Sequence, residues 1–437
     1  VVTTRVLRGR VPSHVVAHVL AASVVLSLAD GAGAQDAGAD THDAAEGSAS
    51  RDDAAELAAQ GLAAFEANGA LSAFRAALRR AERGEGMARV VLYGDSHTAG
   101  SSFPGTLRAR LQARFGDGGP GFVLPARPFP HYRVSGCTVQ SGGAWDALRV
   151  TARARRLDRR GLAGVVLAAN DGAWGELRLP RAPSDAAWAL ELWADAQPEG
   201  GTLRVLVDDD APREVSLAAA APEARYVSLP LAGPGAHRLR IEARGDGRVR
   251  VFGAVLERRG AGVVLDALGL NGARAADQLL WDDALFREHL ARRRPDLVVL
   301  AYGTNEAGET APIAAYEASL RAVVARVRGA VPGASCALVG PTDRPQRAGR
   351  DGWAERPRQA AILDVQRRVA REAGCAFFDT VRFQGGPLAT RAWAAQQPPL
   401  AQRDHVHLTH AGYRRVAEAL YAALVAGLAT PPRRDAR

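Results

Sequence analysis

Met87-Ala88-Arg89-Val90-Val91-Leu92-Tyr93-Gly94-Asp95-Ser96-His97-Thr98 is the stretch whose reading decides the fold of this chain. The apolar, β-branched run Val90 to Tyr93 predicts a buried strand. Gly94-Asp95-Ser96 breaks it. Phe103, Leu107, Leu111 and Phe115 then recur every four residues and predict a helix over 103–115. Strand, tight turn and helix together set a serine hydroxyl at the carboxyl end of a sheet, beside the free N–H groups of a helix start. Ser96 is there either a nucleophile, given a base and an oxyanion site from elsewhere, or a helix cap. The stretch alone favours the cap.

Downstream, the breakers Gly116-Asp117-Gly118-Gly119-Pro120-Gly121 end this unit, and the hydrophobic period changes. Trp188, Leu190, Leu192 and Ala194 alternate with other residues, as do Leu203, Val205 and Val207, and Leu239, Ile241 and Ala243. Short alternating runs between Gly, Pro and Asp clusters predict an antiparallel β-sandwich over 121–258. Of its tryptophans, Trp188 is expected in the core; Trp145, Trp174 and Trp193 suit either core or a sugar-stacking surface. From Val263 onward, apolar strands again precede helices, at 263–265, 297–300, 336–339 and 376–378, with helices over 275–292, 312–328, 355–372 and 411–428. Such βα units predict an α/β fold with a five-stranded parallel sheet covered on both faces. Its two parts, 86–120 and 259–430, are interrupted by the sandwich.

Ahead of the strand lies an apparent export signal over 1–34. Arg5, Arg8 and Arg10 make its charged region, 15–28 its apolar core, and Ala32-Gly33-Ala34 its cleavage site. No stretch is long enough to span a membrane. A linker poor in buriable residues is expected over 35–53, a helical hairpin over 54–85 and a disordered tail over 431–437. A length of 437 residues suits two folded units with extensions. The net charge of +9 is carried by arginine alone, since the chain contains no lysine. These arginines are dispersed, without a nucleic-acid-binding motif, so nucleic acid is not an expected partner; a basic surface suits an anionic glycan. Arg153 to Arg156 and Arg292 to Arg294 read as solvated surface rather than polyanion contacts. Cys336 and Cys375 each start an apolar run and pair if those strands are neighbours, leaving Cys137 over. Buried free thiols are the favoured reading for all three.

Polar residues at the carboxyl ends of the strands are where an open α/β sheet binds ligands. Leu268-Gly269-Leu270-Asn271-Gly272-Ala273 follows the second strand, Tyr302-Gly303-Thr304-Asn305-Glu306 the third, and Asp404-His405-Val406-His407 precedes the last helix. With Gly94-Asp95-Ser96, these stretches resemble, block by block and in order, the SGNH (GDSL-type) hydrolase superfamily, over roughly 87–120 and 259–430. The resemblance implies a flavodoxin-like three-layer fold. It implies Ser96 as nucleophile, His407 as base and Asp404 as the group that orients it, with an oxyanion hole from Ser96, Gly272 and Asn305, and no cofactor. His97 stands where the commonest motif has leucine, and is expected to shape the turn. Glu306 replaces the usual aspartate and is expected to be a structural hydrogen-bonding group. His405, His407 and His410 have local zinc-like spacing, but no Cys or carboxylate set completes a site. Asp343 ends the fourth strand and is expected to border the pocket.

Within the superfamily, an insertion after the serine block, the Gly118 to Phe122 stretch and the 127–132 region look most like bacterial peptidoglycan O-acetylesterases, whose sandwich resembles a carbohydrate-binding module. That likeness implies an exported, periplasmic or extracellular esterase whose partner is an O-acetylated cell-wall glycan. Acetyl transfer by the same triad, hydrolysis of longer acyl chains, and non-catalytic glycan binding remain open on the sequence. So does the oligomeric state.

Overall fold

The computed structural model describes residues 51–149, 159–181, 187–231, 235–350 and 352–428. The expected export signal, the linker up to residue 50, the arginine run at 153–156 and the tail at 431–437 lie outside the described residues. Five strands form a parallel sheet: β1 (Met87–Gly94), β2 (Gly262–Gly269), β3 (Leu297–Ala301), β4 (Ser335–Val339) and β5 (Ala376–Phe378). Their spatial order is 2-1-3-4-5, so the chain reverses its direction of travel at β1 and β3. This is the place in a doubly wound sheet where the crevice at the carboxyl edge opens. Gly94 of β1 is level with Gly269 of β2 and with Ala301 of β3, so three strands end side by side.

The strands are apolar throughout because both faces are covered. Val91, Tyr93, Val298, Leu300, Leu338 and Phe377 pack with the helices Asp283–Arg293, Ile313–Ala330 and Pro357–Ala373. Val90, Leu92, Val299, Ala337 and Phe378 face the helices Ser72–Glu82, Ser102–Phe115 and His410–Val425. The helix expected over 275–292 is two pieces: a 3₁₀ turn, Ala275–Leu280, and an α-helix capped where the Asp282 carboxylate accepts from Leu285 N–H. The N-terminal hairpin also needs correcting. The first helix already begins at Arg51, inside the expected linker, and runs to Ala63. Phe65–Glu66 then adds a short antiparallel strand to the edge of β5, and a turn through Asn68 and Gly69, both at positive φ, leads into the second helix.

The inserted region is antiparallel and wraps a core of its own, containing Leu177, Leu192, Leu203, Val227, Ile241 and Val251. The expectation here is an antiparallel β-sandwich; all nine strands of the region belong to one hydrogen-bonded set. The cause is a 22-residue strand, His237–Arg258, whose register breaks between Glu242 and Val249. Before the break it pairs with Thr202–Val207, and after it with Trp188–Ala196 and Gly121–Val123. An irregular strand of this kind turns a corner and carries the ladder from one layer into the other. Trp188 is buried as expected, and so is Trp193; Trp145 and Trp174 are half-buried.

The insertion leaves and rejoins the parallel sheet at one place. Val263 N–H donates to Gly116 C=O and Arg258 N–H to Gly118 C=O. Gly121, at φ 84°, has no room for a Cβ, which would lie 2.3 Å from Asp266 Oδ1. The fully buried Asp266 on β2 accepts from Phe122 N–H and from Arg293, which also reaches Glu257. Arg293 is therefore a buried tie between the layers, which corrects its reading as solvated surface. Arg292, on the outside, pairs with Glu191 across the same junction.

Cys336 and Cys375 form a disulfide, so the expectation of free thiols fails for them. Parallel pairing of β4 with β5 sets Ala337 beside Ala376, which brings the two preceding cysteines to a Cα separation of 4.6 Å. Cys137 is free and half-buried, and burial pushes its thiol up to about 12. Among the described residues no helix is long and apolar enough to cross a membrane.

Candidate active site

β1 ends at Gly94 and the chain turns at once into a four-residue helix, Ser96–Ala99. The cap of this turn is Asp95, not Ser96. Its carboxylate accepts from His97 N–H at 3.0 Å, and its carbonyl accepts from Thr98 and Ala99 N–H. Asp95 is 1 % exposed, and that burial raises its carboxyl to about 6. Ser96 is thus freed from capping, and its side chain stands at the carboxyl edge of the sheet.

There Ser96 Oγ lies 3.0 Å from His407 Nε2, although 311 residues separate them in sequence. His407 Nδ1 lies 2.7 Å from Asp404 Oδ2. The other carboxylate oxygen of Asp404 accepts from Val406 N–H at 2.9 Å and His407 N–H at 3.0 Å. Partial burial by itself would raise this carboxyl. The imidazole and the two backbone donors outweigh it and hold Asp404 at about 2, fully ionised near neutral pH. The loop bearing both residues is closed by Gln402 N–H to His407 C=O, and Thr342 Oγ donates to Val406 C=O. Thr342 comes from the end of β4, so the sheet edge fixes the loop that faces it. Both side chains are about two-fifths exposed, and the site is open to solvent.

His97 lies behind His407. Its ring stacks on that of His407, with centroids 5.2 Å apart and planes at 27°. His97 Nδ1 is 2.9 Å from the Tyr413 hydroxyl on the last helix. Burial, and then the neighbouring His407 ring, lower His97 to about 3, so it is neutral and acts as a wall rather than a base.

The remaining blocks arrive from β2 and β3. Leu270 N–H donates to Gly94 C=O, tying the loop after β2 to the serine turn. Gly272 follows at φ 75°, and a Cβ on it would meet no atom within 4 Å. Asn305 Nδ2 donates to Ala273 C=O at 2.9 Å, which joins the loops after β2 and β3. Glu306 is buried and accepts from Ala275 N–H and Gly303 N–H, so it splints those same loops. Burial raises its carboxyl to about 7. Asp343, expected at the pocket border, is buried and accepts from Thr390 N–H, which makes it part of the scaffold. Of the three histidines with zinc-like spacing, His407 faces Ser96, His405 meets Trp353 edge-on, and His410 bonds Ser102. They diverge, and among the described residues no group of three His, Cys, Asp or Glu could hold a metal.

Two neighbours carried no role in the sequence reading. Tyr413 ends the first turn of the helix that follows the Asp-x-x-His block, and Arg344 donates to Thr304 C=O. Neither has a spacing that distinguishes it from an ordinary surface residue.

Comparison with known proteins bears on this geometry. Residues 231–415 match the model of the GDSL-like lipase/acylhydrolase family. A search of curated proteins finds no match. Among solved structures, a peptidoglycan O-acetylesterase is 28 % identical, with a TM-score of 0.68, covering 82 % of this chain and 97 % of its own. A family two carbohydrate esterase from Cellvibrio japonicus is 13 % identical, with a TM-score of 0.26, over 66 % of this chain and 98 % of that one. One from Clostridium thermocellum in complex with cellohexaose is 14 % identical, with a TM-score of 0.28, over the same shares. Superpositions as loose as these last two add nothing to the first. On the family match and the O-acetylesterase likeness, the chain carries a GDSL/SGNH lipase-acylhydrolase domain and is a serine hydrolase of that type.

Proposed function

We propose that this hydrolase is an esterase that removes O-acetyl groups from an envelope polysaccharide, with peptidoglycan the first candidate, through an acyl-enzyme on Ser96. The observation that carries the reading is the unbroken relay from Ser96 Oγ through the His407 ring to Asp404. His407 Nε2 takes the hydroxyl proton as Ser96 attacks the acetyl carbon, then returns it to the departing sugar oxygen. Asp404 holds the ring in the tautomer with its proton on Nδ1 and stabilises the imidazolium. Water, activated by the same ring, releases acetate. The oxyanion is held by the Ser96 N–H, which Asp95 does not occupy, by Gly272 N–H, and by the second N–H of the Asn305 amide. A glycine at 272 keeps the rim open for a bulky sugar.

The structural likeness to a peptidoglycan O-acetylesterase supports this choice of substrate. We assign 86–120 and 259–430 to the hydrolase, and 121–258 to a carbohydrate-binding-like module that holds the polymer. We also infer that the protein works outside the cytoplasm, and the Cys336–Cys375 disulfide, which suits an oxidising compartment, supports that. The test is acetate release from native O-acetylated peptidoglycan. Wild type should release acetate and Ser96→Ala should not. Accumulation of newly acetylated glycan, in place of free acetate, would reassign the chain to acetyl transfer.

A further inference from the structure

Beside the catalytic loop lies a cluster that the relay does not use. After β4 the chain makes a small hairpin, Gln346–Ala348 paired with Gly352–Ala354, which carries Trp353. The Arg347 guanidinium lies over the Trp353 ring at 4.2 Å, and that of Arg391, from the helix Ala389–Ala394, at 5.6 Å. His405 meets the same ring edge-on at 4.5 Å. His405 sits between Asp404 and His407 and adopts φ 54°, a left-handed conformation that L-residues seldom take. The catalytic loop and the Trp353 cluster are thus in direct contact.

Both arginines are exposed, and among the described residues neither has a carboxylate partner. Several other exposed arginines of this chain do have one: Arg83 pairs with Glu85, Arg110 with Glu418 and Arg287 with Asp283. Two like charges gathered on one indole repel each other. A guanidinium stacked on a ring also keeps its planar edge of N–H groups directed outward, in the fork that matches a carboxylate. Burial, followed by the charges of Arg391 and Arg347, lowers His405 as well, so the positive field reaches the catalytic loop.

We propose that Arg347 and Arg391, organised on Trp353, form an anion subsite that binds a carboxylate of the polymer next to the scissile ester and so selects acidic over neutral acetylated glycans. The inference rests on the esterase reading and names its substrate class. The carboxylate comes from the sugar itself or from a peptide attached to it; the chemistry of recognition is the same.

The experiment compares kcat/KM for O-acetylated peptidoglycan and for acetylated xylan, a neutral polymer, in the full chain and in Arg347→Gln, Arg391→Gln and the double variant. Wild type should favour peptidoglycan, and the acidic-to-neutral ratio should fall about tenfold for each arginine removed, since each loses a charge-assisted hydrogen bond. Added salt should erode the wild-type ratio more than that of the double variant. Because the ratio is read on one enzyme preparation, partial misfolding of a variant cancels. An amidase that removes the peptides also frees the sugar carboxylate that each had masked as an amide, and so separates the two sources: a preference that holds or rises assigns the carboxylate to the sugar, and a lost preference assigns it to the peptide. A ratio unmoved by the substitutions, or a wild type that prefers xylan, overturns the subsite and leaves the esterase reading standing. A wild type that releases acetate from 4-nitrophenyl acetate but from neither polymer overturns the glycan reading itself, and the subsite with it.

Discussion

Asn305 shows how much one side chain is asked to do. Its amide carries two N–H groups, one of which is committed to Ala273 C=O at 2.9 Å. That bond fixes the direction of the other, so the donor proposed for the oxyanion is oriented before substrate arrives. Asn305→Ala should lower kcat by about 10²–10³-fold, the loss typical of one such donor. The thermal midpoint should move little by comparison, because Glu306 still joins the same loops through Ala275 and Gly303 N–H. Aryl acetate hydrolysis and a melting curve on one preparation check both halves; retained turnover would remove Asn305 from the oxyanion site. At this scale the sequence was most informative about Ser96, Asn305, Asp404 and His407, since each lies in a short block of unusual residue types. Asp95 as cap and the Tyr413 hydroxyl on His97 were not legible. Their partners are backbone and ring atoms brought close only by the folded turn and the last helix.

The parallel strands declared themselves because their continuous apolar runs follow from cover on both faces, and the alternating runs of the insertion because each buries one side. What composition could not reveal was how ladders join. The Phe65–Glu66 edge strand is two residues long, too short for any periodicity, and the corner in the His237–Arg258 strand is a register break within otherwise regular alternation. The disulfide belongs here as well, since it depends on β4 and β5 being neighbours, which is a matter of strand order. It closes a loop of 39 residues between two core strands. Replacing both cysteines by alanine should lower the free energy of unfolding by roughly 2–4 kcal/mol, chiefly by freeing the unfolded chain. Urea melts of the oxidised wild type and the double variant measure it, and coincident midpoints would show that the bond contributes nothing. The bond stands at the amino ends of these strands and the proposed relay at the carboxyl ends, so turnover below the transition should persist in the variant.

Over the whole molecule, buried carboxyls set opposing pH dependences. Asp95 and Glu306 are raised by burial, to about 6 and about 7, so the folded state holds protons that the unfolded chain gives up. Their contribution is fully present only below the unfolded values and is lost as pH rises through the folded ones. Glu257 and Asp404 behave inversely. Burial would raise Glu257, but Arg89 and Arg293 hold it at about 2, as the imidazole and backbone donors hold Asp404. Their contribution is present above the ordinary carboxylate range and is lost as pH falls toward 2. The buried His97 and His289, both lowered to about 3, add stability that is present above the ordinary histidine value and lost as pH falls. They outweigh the two raised carboxyls, so the thermal midpoint should climb from pH 3 and level off near pH 6, which a calorimetric series from pH 3 to 8 measures; a midpoint that falls steadily from pH 4 upward contradicts the burial of the two histidines. The junction at Gly116, Gly118, Arg258 and Val263 has an evolutionary and practical corollary. Because the two ends of the β cassette are hydrogen-bonded neighbours, it can be exchanged for another of similar span without rethreading a single parallel strand. Any replacement must still present apolar cover for Trp281 and Phe286, which Leu162, Ala163 and Phe252 now provide. The fold thus separates the half proposed to cut the ester from the half proposed to grip the polymer, and each is free to diversify while the other stays put.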